Sequence, residues 1–519
     1  MQLELDFSSL PAVGEPTAPH SVPDPPLPDT DLGRFARARM AYGSPRERQG
    51  VVHRFALTEP ELVEVSAKLC SNANAGDPAA AVEVIALLSG IPPGCAGGIG
   101  LCDTYPPGAP VIAIDLRSGQ MHTDMGRICL AQAAPTPSNG TALPASHMLV
   151  KPLPRFLVEL LRQAACASPR ARSLGELLPC TPTSAAVPIA GNKEGRLRAT
   201  HARARDGLSA LAITLGLDNY DAALVTNDFA LIDRSRLFYV RSDPRRVMEG
   251  CRSVYAALGW HEPVPGEVVL PFGSNVVPQD ECVVAVFNEL RRRVEAFAPG
   301  RRYTLDALLV HHNHYALLVA WLLGFCVGAR EATMFDFNAR TCRPSALFVP
   351  YRDKSTGPFK QVRPVLMCRV ARELVGAWWR HLHALHARAQ RLGAPATTAW
   401  MRHLGAVFAG DRVPLLFTAH DETVVPIGSA HVADAVPADI RLVANAGRHY
   451  WQTVLYRQGI ASHAIDVYAR HACRGTEPMS STTLASPLMV HEQVCSVQDA
   501  VLRELGITSV SGLGRRVSP

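Results

Sequence analysis

Apolar side chains recur with a helical period along most of this chain. Residues 280–297 (DECVVAVFNELRRRVEAF) and 370–392 (VARELVGAWWRHLHALHARAQRL) place apolar positions three and four apart, which predicts two helices. Residues 58–70 show the same period behind a Thr/Glu pair with capping-box spacing, and a second helix follows before Gly-Ile-Pro-Pro. The pattern therefore predicts a mainly helical protein.

Strand-like patterns are fewer and shorter. Residues 110–116 (PVIAIDL) alternate between apolar and polar positions, as a strand does. Residues 346–352 (ALFVPYR) and 360–367 (KQVRPVLM) lie on either side of a Lys-Ser-Thr-Gly-Pro turn, which predicts a β-hairpin. We therefore expect an α+β fold class that is mainly α, with a small β-hairpin or sheet.

The apolar stretches predict a protein without membrane contact. Residues 315–329 (YALLVAWLLGFCVGA) are too few to span a bilayer and run into charged residues, so we expect a buried helix. The first ten residues, MQLELDFSSL, lack the basic region and apolar core of a signal peptide. Residues 11–31 are rich in proline and poor in large apolar side chains, which predicts a disordered tether.

Composition narrows the function classes only slightly. A chain of 519 residues suggests two to four domains, and a net charge of +6 permits nucleic-acid binding without demanding it. The 13 cysteines contain no Cys-x-x-Cys pair and no zinc-finger spacing, which favours reduced thiols in a cytoplasmic protein. The histidines of residues 311–314 lack acidic partners at ligand spacing. We therefore expect no metal and no cofactor.

One segment carries a concentrated positive charge. Residues 193–217 predict a helix with a basic stripe, and the stripe residues are Lys193, Arg196, Arg198, Arg203 and Arg205. A stripe of this kind is suited to contacting a DNA backbone. A helix face that is simply exposed to water explains the same charges equally well.

The second half of the chain holds a set of cations suited to phosphate chemistry. Arg330 and Arg448 stand in apolar helical settings, Lys354 at the hairpin turn, and His471 near the end of a helical segment. Arginine forks hold phosphate oxygens bidentately, and lysine or histidine can move protons at the bridging oxygens. A nearby hydroxyl, such as that of Ser480, can form a covalent intermediate. Any one of these residues alone has an ordinary structural explanation.

The order and spacing of these residues resemble a known family. Arg330 follows an apolar helix in LLGFCVGARE, Lys354 lies 24 residues later, and NAGRHYWQTVLYRQGI contains Arg448. His471 comes 23 residues after Arg448, and Ser480 comes nine after that. Residues from about 275 to 500 resemble the catalytic domain of the tyrosine recombinase (phage integrase) family, with Ser480 at the position of the nucleophile.

Three positions depart from the family pattern. Asn445 replaces the first histidine of His-x-x-Arg, and it cannot shuttle a proton at neutral pH. Thr333 stands where an acidic residue usually supports the first arginine, and Glu331 or Asp336 is a possible substitute. The last tyrosine of the sequence, Tyr468, precedes His471, so no tyrosine occupies or follows the nucleophile position.

Three interpretations of the nucleophile position stay open. In the first, Ser480 attacks, with Lys354 or His471 assisting proton transfer because an aliphatic hydroxyl is less acidic than a phenol. In the second, the nucleophile is lost and the protein is a DNA-binding or architectural relative that acts with partner recombinases. In the third, Ser481, Thr482 or Thr483 attacks after a small shift in register.

The resemblance implies roles for each matched residue. Arg330 and Arg448 would clamp the scissile phosphate of double-stranded DNA, and Lys354 would protonate the leaving 5′ oxygen. Asn445 and His471 would bond phosphate oxygens, while Ser480 would form a 3′-phosphoseryl link. The family recombines mobile genetic elements as a tetramer on DNA, either alone or with sister recombinases, which implies a nucleoid-associated protein.

The resemblance also suggests a division of the chain. We expect a disordered Pro-rich tail (1–35), an N-terminal domain of unknown role (36–150), a helical core DNA-binding domain (151–275), the catalytic domain (276–500) and a C-terminal tail (501–519). An amphipathic helix at 496–507 would serve exchange between protomers or pack on its own domain.

Overall fold

The computed structural model describes residues 56–102, 110–129, 140–180, 199–232, 234–260, 270–330, 337–352, 362–420, 423–470 and 487–514. The protein is mainly helical with small sheets, and the expected α+β class is confirmed. The predicted Pro-rich tail at 1–35 lies outside the described residues.

The first half of the chain combines short helices with a four-stranded sheet. The helices are α1 (Glu59–Asn74), α2 (Pro78–Ser89), α3 (Pro93–Ala96), α4 (Met125–Cys129), α5 (Arg155–Ala167), α6 (Leu174–Leu177), α7 (His201–Thr214), α8 (Asn219–Thr226), α9 (Arg234–Tyr239) and α10 (Pro244–Ala257). Thr58 and Glu61 form the predicted capping box at the start of α1. In the described part of the predicted 193–217 helix, which starts at residue 199, α7 begins at His201 and the Thr200 hydroxyl caps it.

The sheet has the order β1-β2-β3-β4. Its strands are β1 (Gly100–Cys102), β2 (Ile112–Asp115), β3 (Gln120–Asp124) and β4 (Met148–Pro152), with β1 and β2 parallel and the other pairs antiparallel. The strand predicted at 110–116 is confirmed as β2. The domain boundary expected between residues 150 and 151 falls inside β4, which pairs along its length with β3.

A buried lysine ties this sheet to two helices. Lys151 on β4 is 1% exposed, and its ammonium donates to the Leu88 carbonyl at 2.8 Å, the Val225 carbonyl at 2.9 Å and Asn227 Oδ1 at 2.9 Å. Three acceptors match the three N–H bonds of a charged ammonium. Burial lowers the lysine pKa to about 7, and the three oxygens oppose this effect by favouring the charged form.

The second half of the chain is built around a long apolar helix. Its elements are β5 (Arg241–Ser242), β6 (Phe272–Gly273), α11 (Asp280–Ala296), α12 (Leu305–Cys326), β7 (Phe348–Arg352), β8 (Val362–Leu366), α13 (Arg369–Arg391), α14 (Ala399–Ala409), β9 (Phe417–His420), β10 (Thr423–Pro426), α15 (Ser429–Ala435), α16 (Ala446–Arg457), α17 (Ser462–Tyr468) and α18 (Pro487–Glu504). The predicted helices at 280–297 and 370–392 are confirmed as α11 and α13. Strands β7 and β8 pair antiparallel, as the predicted hairpin requires.

Helix α12 lies in the core, as its apolar sequence predicts. It packs between α11 and α13 and also contacts β9 and α16. By length and composition it is long enough to cross a membrane, but 78% of its most apolar window is buried inside the protein. The core helix of a soluble protein meets the same criteria of length and composition.

The last described residues are part of the core, so the expected tail at 501–519 is wrong for 501–514. Leu502 and Ile507 are fully buried, and the Tyr315 hydroxyl donates to the Val510 carbonyl at 2.7 Å. Helix α18 packs on α13 and α17 of its own chain. Packing on its own domain is one of the two roles considered for the 496–507 helix, and exchange between protomers stays a prediction.

Polar contacts, buried or half-buried, join the two halves of the chain. Arg246 on α10 bonds Asp221 at 2.7 Å and the Tyr456 carbonyl on α16 at 3.0 Å. Arg236 on α9 is 1% exposed and pairs with Asp466 on α17 at 2.9 Å. The segments expected to form the core-binding and catalytic domains are therefore packed closely together here.

Candidate functional site

Arg330 stands just beyond the C-terminus of α12. The helix ends at Cys326, and Gly328 adopts a left-handed conformation with φ of 54°. A Cβ at Gly328 would lie 2.5 Å from the Tyr468 hydroxyl, so the close approach of Tyr468 also requires glycine here. Arg330, which is half-buried, comes two residues after this turn.

The N-terminus of α16 abuts the same end of α12. Asn445 is the N-cap of α16 with φ of 61°, and Gly447 follows in the first turn. A Cβ at Gly447 would lie 2.9 Å from Phe325 Cα, so the two backbones touch. A cavity beside this contact is lined by Asn445 and by Ala329, the neighbour of Arg330. The structure thus brings Asn445 close to the Arg330 turn.

Arg448 is fully buried in the first turn of α16. Its Nη2 donates to the Ala469 carbonyl, and its guanidinium lies 5.1 Å from the centre of the Tyr239 ring. Tyr239 belongs to α9 and is 8% exposed. The first half of the chain therefore covers Arg448 with an aromatic ring, an arrangement that stabilises a cation away from water.

Side chains from the end of α17, from Arg470 just beyond it and from α18 bond back to the end of α12. The Tyr468 hydroxyl donates to the Cys326 carbonyl at 3.1 Å, and Gln498 of α18 donates to the same oxygen at 2.7 Å. Arg470 donates from Nη1 to the Val327 carbonyl at 3.0 Å and from Nη2 to the Gly328 carbonyl at 2.6 Å. These three side chains satisfy carbonyls that the helix itself leaves without partners.

Part of the predicted set is therefore assembled. The structure brings together the Arg330 turn, Asn445 and Arg448. Lys354, His471 and Ser480, together with Ser481, Thr482, Thr483, Glu331, Thr333 and Asp336, lie outside the described residues. In the sequence, Lys354 comes two positions after the end of β7, and His471 directly follows Arg470.

His449, next to Arg448, is unsuited to proton transfer. It is 2% exposed, and Ser274 Oγ lies 2.8 Å from its Nδ1. Burial, with a smaller contribution from Arg448, lowers the pKa of His449 to about 3. The imidazole therefore stays neutral at physiological pH and does not replace the histidine that Asn445 lacks.

The predicted basic stripe is only partly described. Lys193, Arg196 and Arg198 lie outside the described residues. Arg203 and Arg205 are on α7 and are half-buried, and Arg205 Nη2 lies 3.2 Å from Asp206 Oδ1. The described end of the stripe is therefore partly neutralised by a neighbouring carboxylate.

The histidines of α12 form a packed aromatic cluster. His312 and His381 are fully buried, and Nδ1 of His312 lies 3.1 Å from Nε2 of His381. Trp378 stacks on His381, and the tilted ring of His311 lies 5.8 Å from it. Among the described residues, no group of histidine, cysteine and carboxylate side chains has a metal-binding arrangement.

Comparisons with protein-family models, with curated proteins and with solved structures found no match to this chain.

Sequence reasoning missed four residues that hold the site together: Tyr239, Tyr468, Arg470 and Gln498. Arg470 carries the one available signal, because it stands immediately before His471. The other three contacts join distant parts of the sequence, and no local pattern marks them.

Proposed function

We propose that this protein is a site-specific DNA recombinase with a tyrosine-recombinase-like catalytic domain and a serine nucleophile. The observation that carries the proposal is the convergence of the Arg330 turn, Asn445 and Arg448. Arg330 precedes Asn445 and Arg448 by more than a hundred residues in the sequence, yet Gly447 touches Phe325, five residues before Arg330. The order and spacing of the matched residues add Lys354, His471 and Ser480 to the same set.

The charges of this set suit phosphoryl transfer. Arg330 and Arg448 would neutralise the nonbridging oxygens of a phosphodiester, and Asn445 would donate a further hydrogen bond. Ser480 Oγ would attack phosphorus while its proton passes to His471 as the neighbouring base. Lys354 would protonate the departing 5′ oxygen. The products would be a 3′-phosphoseryl link and a free 5′-hydroxyl.

Rejoining reverses these steps with a different strand. A 5′-hydroxyl from a second DNA site would attack the phosphoseryl phosphorus, and Ser480 would leave with its proton restored. The number of phosphodiester bonds is unchanged, so the reaction requires no nucleotide hydrolysis. Because strands are exchanged between two DNA sites, recombination needs two matched sites. This requirement distinguishes it from nicking or relaxation by a nuclease or a topoisomerase.

Arg448 must become accessible before it can hold a phosphate. In the DNA-free protein its guanidinium lies against Tyr239 and the Ala469 carbonyl. Tyr239 belongs to residues 151–275, the segment proposed to form the core DNA-binding domain. We therefore include in the proposal a movement of α9 away from α16 when DNA binds.

A plasmid assay tests the proposal. Duplexes bound by the full-length protein would first be selected from a random-sequence pool, and the selected site cloned once or twice into a supercoiled plasmid. We expect deletion or inversion only from the two-site plasmid. Arg330→Ala and Arg448→Ala should each lower the rate at least about 100-fold, because each removes charge stabilisation of the transition state.

The control variant is Arg369→Ala, which removes an exposed arginine that pairs with Glu373 on α13. It should recombine at the wild-type rate. Tight, salt-dependent binding without any strand exchange would instead favour a catalytically inactive DNA-binding relative. Relaxation of the one-site plasmid would indicate a topoisomerase-like activity.

A further inference from the structure

We infer that Arg470 is a positioning residue that fixes Arg330 relative to Arg448. The inference rests on the proposed function for its catalytic consequence, but its geometric content is independent of any activity. Arg470 is 2% exposed and lies directly before His471 in the sequence.

The guanidinium of Arg470 bridges two successive carbonyls. Nη1 and Nη2 donate to the carbonyls of Val327 and Gly328, at 3.0 and 2.6 Å. These oxygens belong to the turn that leads from α12 to Arg330, and they lie at the negative end of the helix dipole. The planar fork matches two adjacent oxygens in one fixed orientation, whereas an ammonium would bind as a point charge. The side chain therefore determines the path of the chain toward Arg330.

The backbone of the same segment holds the second arginine. The carbonyl of Ala469, one residue before Arg470, accepts the Nη2 hydrogen bond of Arg448. Residues 469 and 470 thus contact Arg448 on one side and the Arg330 turn on the other. A displacement of this dipeptide would change the separation of the two guanidinium groups that are proposed to clamp one phosphate.

The backbone of Arg470 is in a conformation that its side chain does not favour. Its φ of 61° is in the left-handed region, where glycine or asparagine is usual. An arginine persists there only when surrounding contacts determine the conformation, and strained residues of this kind cluster at functional sites. Here the two carbonyl bonds of the guanidinium supply that determination.

Four variants separate these effects. Arg470→Met removes the fork and keeps the backbone strain, Arg470→Lys keeps the charge, and Arg470→Gly removes both fork and strain. Arg369→Met is the matched control, since Arg369 is exposed and its side chain is 71% accessible. If Arg470→Met does not fold, Arg470→Gly provides the same comparison with a relaxed backbone.

The first readout is hydrogen exchange of the backbone amides of residues 328–330 in the free protein. We expect exchange at least about tenfold faster in Arg470→Met and Arg470→Gly, which corresponds to the loss of a single hydrogen bond from this turn. Arg369→Met should exchange like the wild type. Unchanged exchange in both Arg470 variants would overturn the inference, whether or not the protein is an enzyme.

The second readout is the single-turnover rate of covalent adduct formation on a nicked duplex of the selected site. We expect DNA affinity within about threefold of wild type and an adduct rate about 100-fold lower in Arg470→Gly, because misplacement of catalytic groups by about 1 Å costs this much. Arg470→Lys should fall in between.

Ethylguanidinium should raise the adduct rate of Arg470→Gly at least about tenfold, since it places a guanidinium in the vacated site. It should not affect the wild type or Arg369→Met. A wild-type protein that binds the duplex but forms no adduct would contradict the proposed function, and the exchange result would still decide the role of Arg470. Full activity of Arg470→Gly without ethylguanidinium would overturn the positioning role.

Discussion

Acid should destabilise this protein through the buried histidines of α12 and α13. The backbone N–H of Leu513 donates to His381 Nδ1 at 3.0 Å, so neutral His381 carries its proton on Nε2. That proton is then donated to Nδ1 of His312, 3.1 Å away. Both rings are fully buried, and each needs its free lone pair as an acceptor. Protonation of either ring breaks this chain of bonds.

The pKa of His312 sets the size of the effect. Burial lowers it to about 3, with smaller contributions from His311, His403 and His420, whereas an unfolded histidine titrates near pH 6.5. Because the folded pKa is lowered, the stabilisation is fully present above pH 6.5 and is lost as the pH falls toward 3. Between pH 7 and pH 5 the loss from His312 alone is about 2 kcal/mol.

Urea unfolding at pH 7 and pH 5 measures this loss. His312→Gln keeps an acceptor for His381 but does not titrate. Between pH 7 and pH 5, we expect the free energy of unfolding to fall by about 2 kcal/mol less in His312→Gln than in the wild type. Because His381 and His449 are also buried neutral, the wild-type penalty should exceed that of His312 alone. Equal penalties for wild type and His312→Gln would refute the assignment of a neutral, buried His312.

Three further predictions follow from buried contacts. Lys151→Ala removes the donor of three buried oxygens, so the free energy of unfolding in urea should fall by about 3–5 kcal/mol. A loss below about 1 kcal/mol would refute a Lys151 ammonium bonded to all three oxygens. Gly447→Ala should cost about 1–3 kcal/mol by forcing α16 from α12, whereas Gly405→Ala, with open space around it, should stabilise by about 0.5–1 kcal/mol in the same assay. In Tyr239→Ala, phenylglyoxal should modify Arg448 faster than in the wild type, as measured by mass spectrometry. Equal modification in both proteins would show that the Tyr239 ring does not cover Arg448.

The sequence predicted the elements whose patterns are long and regular. Helices α11 and α13 have apolar positions at the helical period over several turns, so their existence and extent follow from amphipathicity alone. The short sheet of residues 100–152 escaped prediction except for β2, because β3 (QMHTD) is largely polar. The packing of Leu513 was also missed, since an isolated apolar residue carries no period.

The site was predictable only as an ordered set of residue types. Spacing indicated Arg330, Asn445 and Arg448, and the structure places them around the adjoining ends of α12 and α16. Neither the burial of Arg448 nor its contact with Tyr239 follows from local sequence, because both depend on how the two halves of the chain pack. The bridge made by Arg470 depends on a left-handed backbone angle and on carbonyls more than a hundred residues away.

Covalent trapping on DNA tests the central claim most directly. The full-length protein would be incubated with a nicked duplex of its selected site, whose short 5′-hydroxyl strand diffuses away after cleavage. We predict an SDS-resistant protein–DNA adduct that mass spectrometry maps to Ser480. The adduct should be lost in Ser480→Ala and should persist in Ser481→Ala. Absence of any adduct on a duplex that the protein demonstrably binds would contradict a serine recombination chemistry.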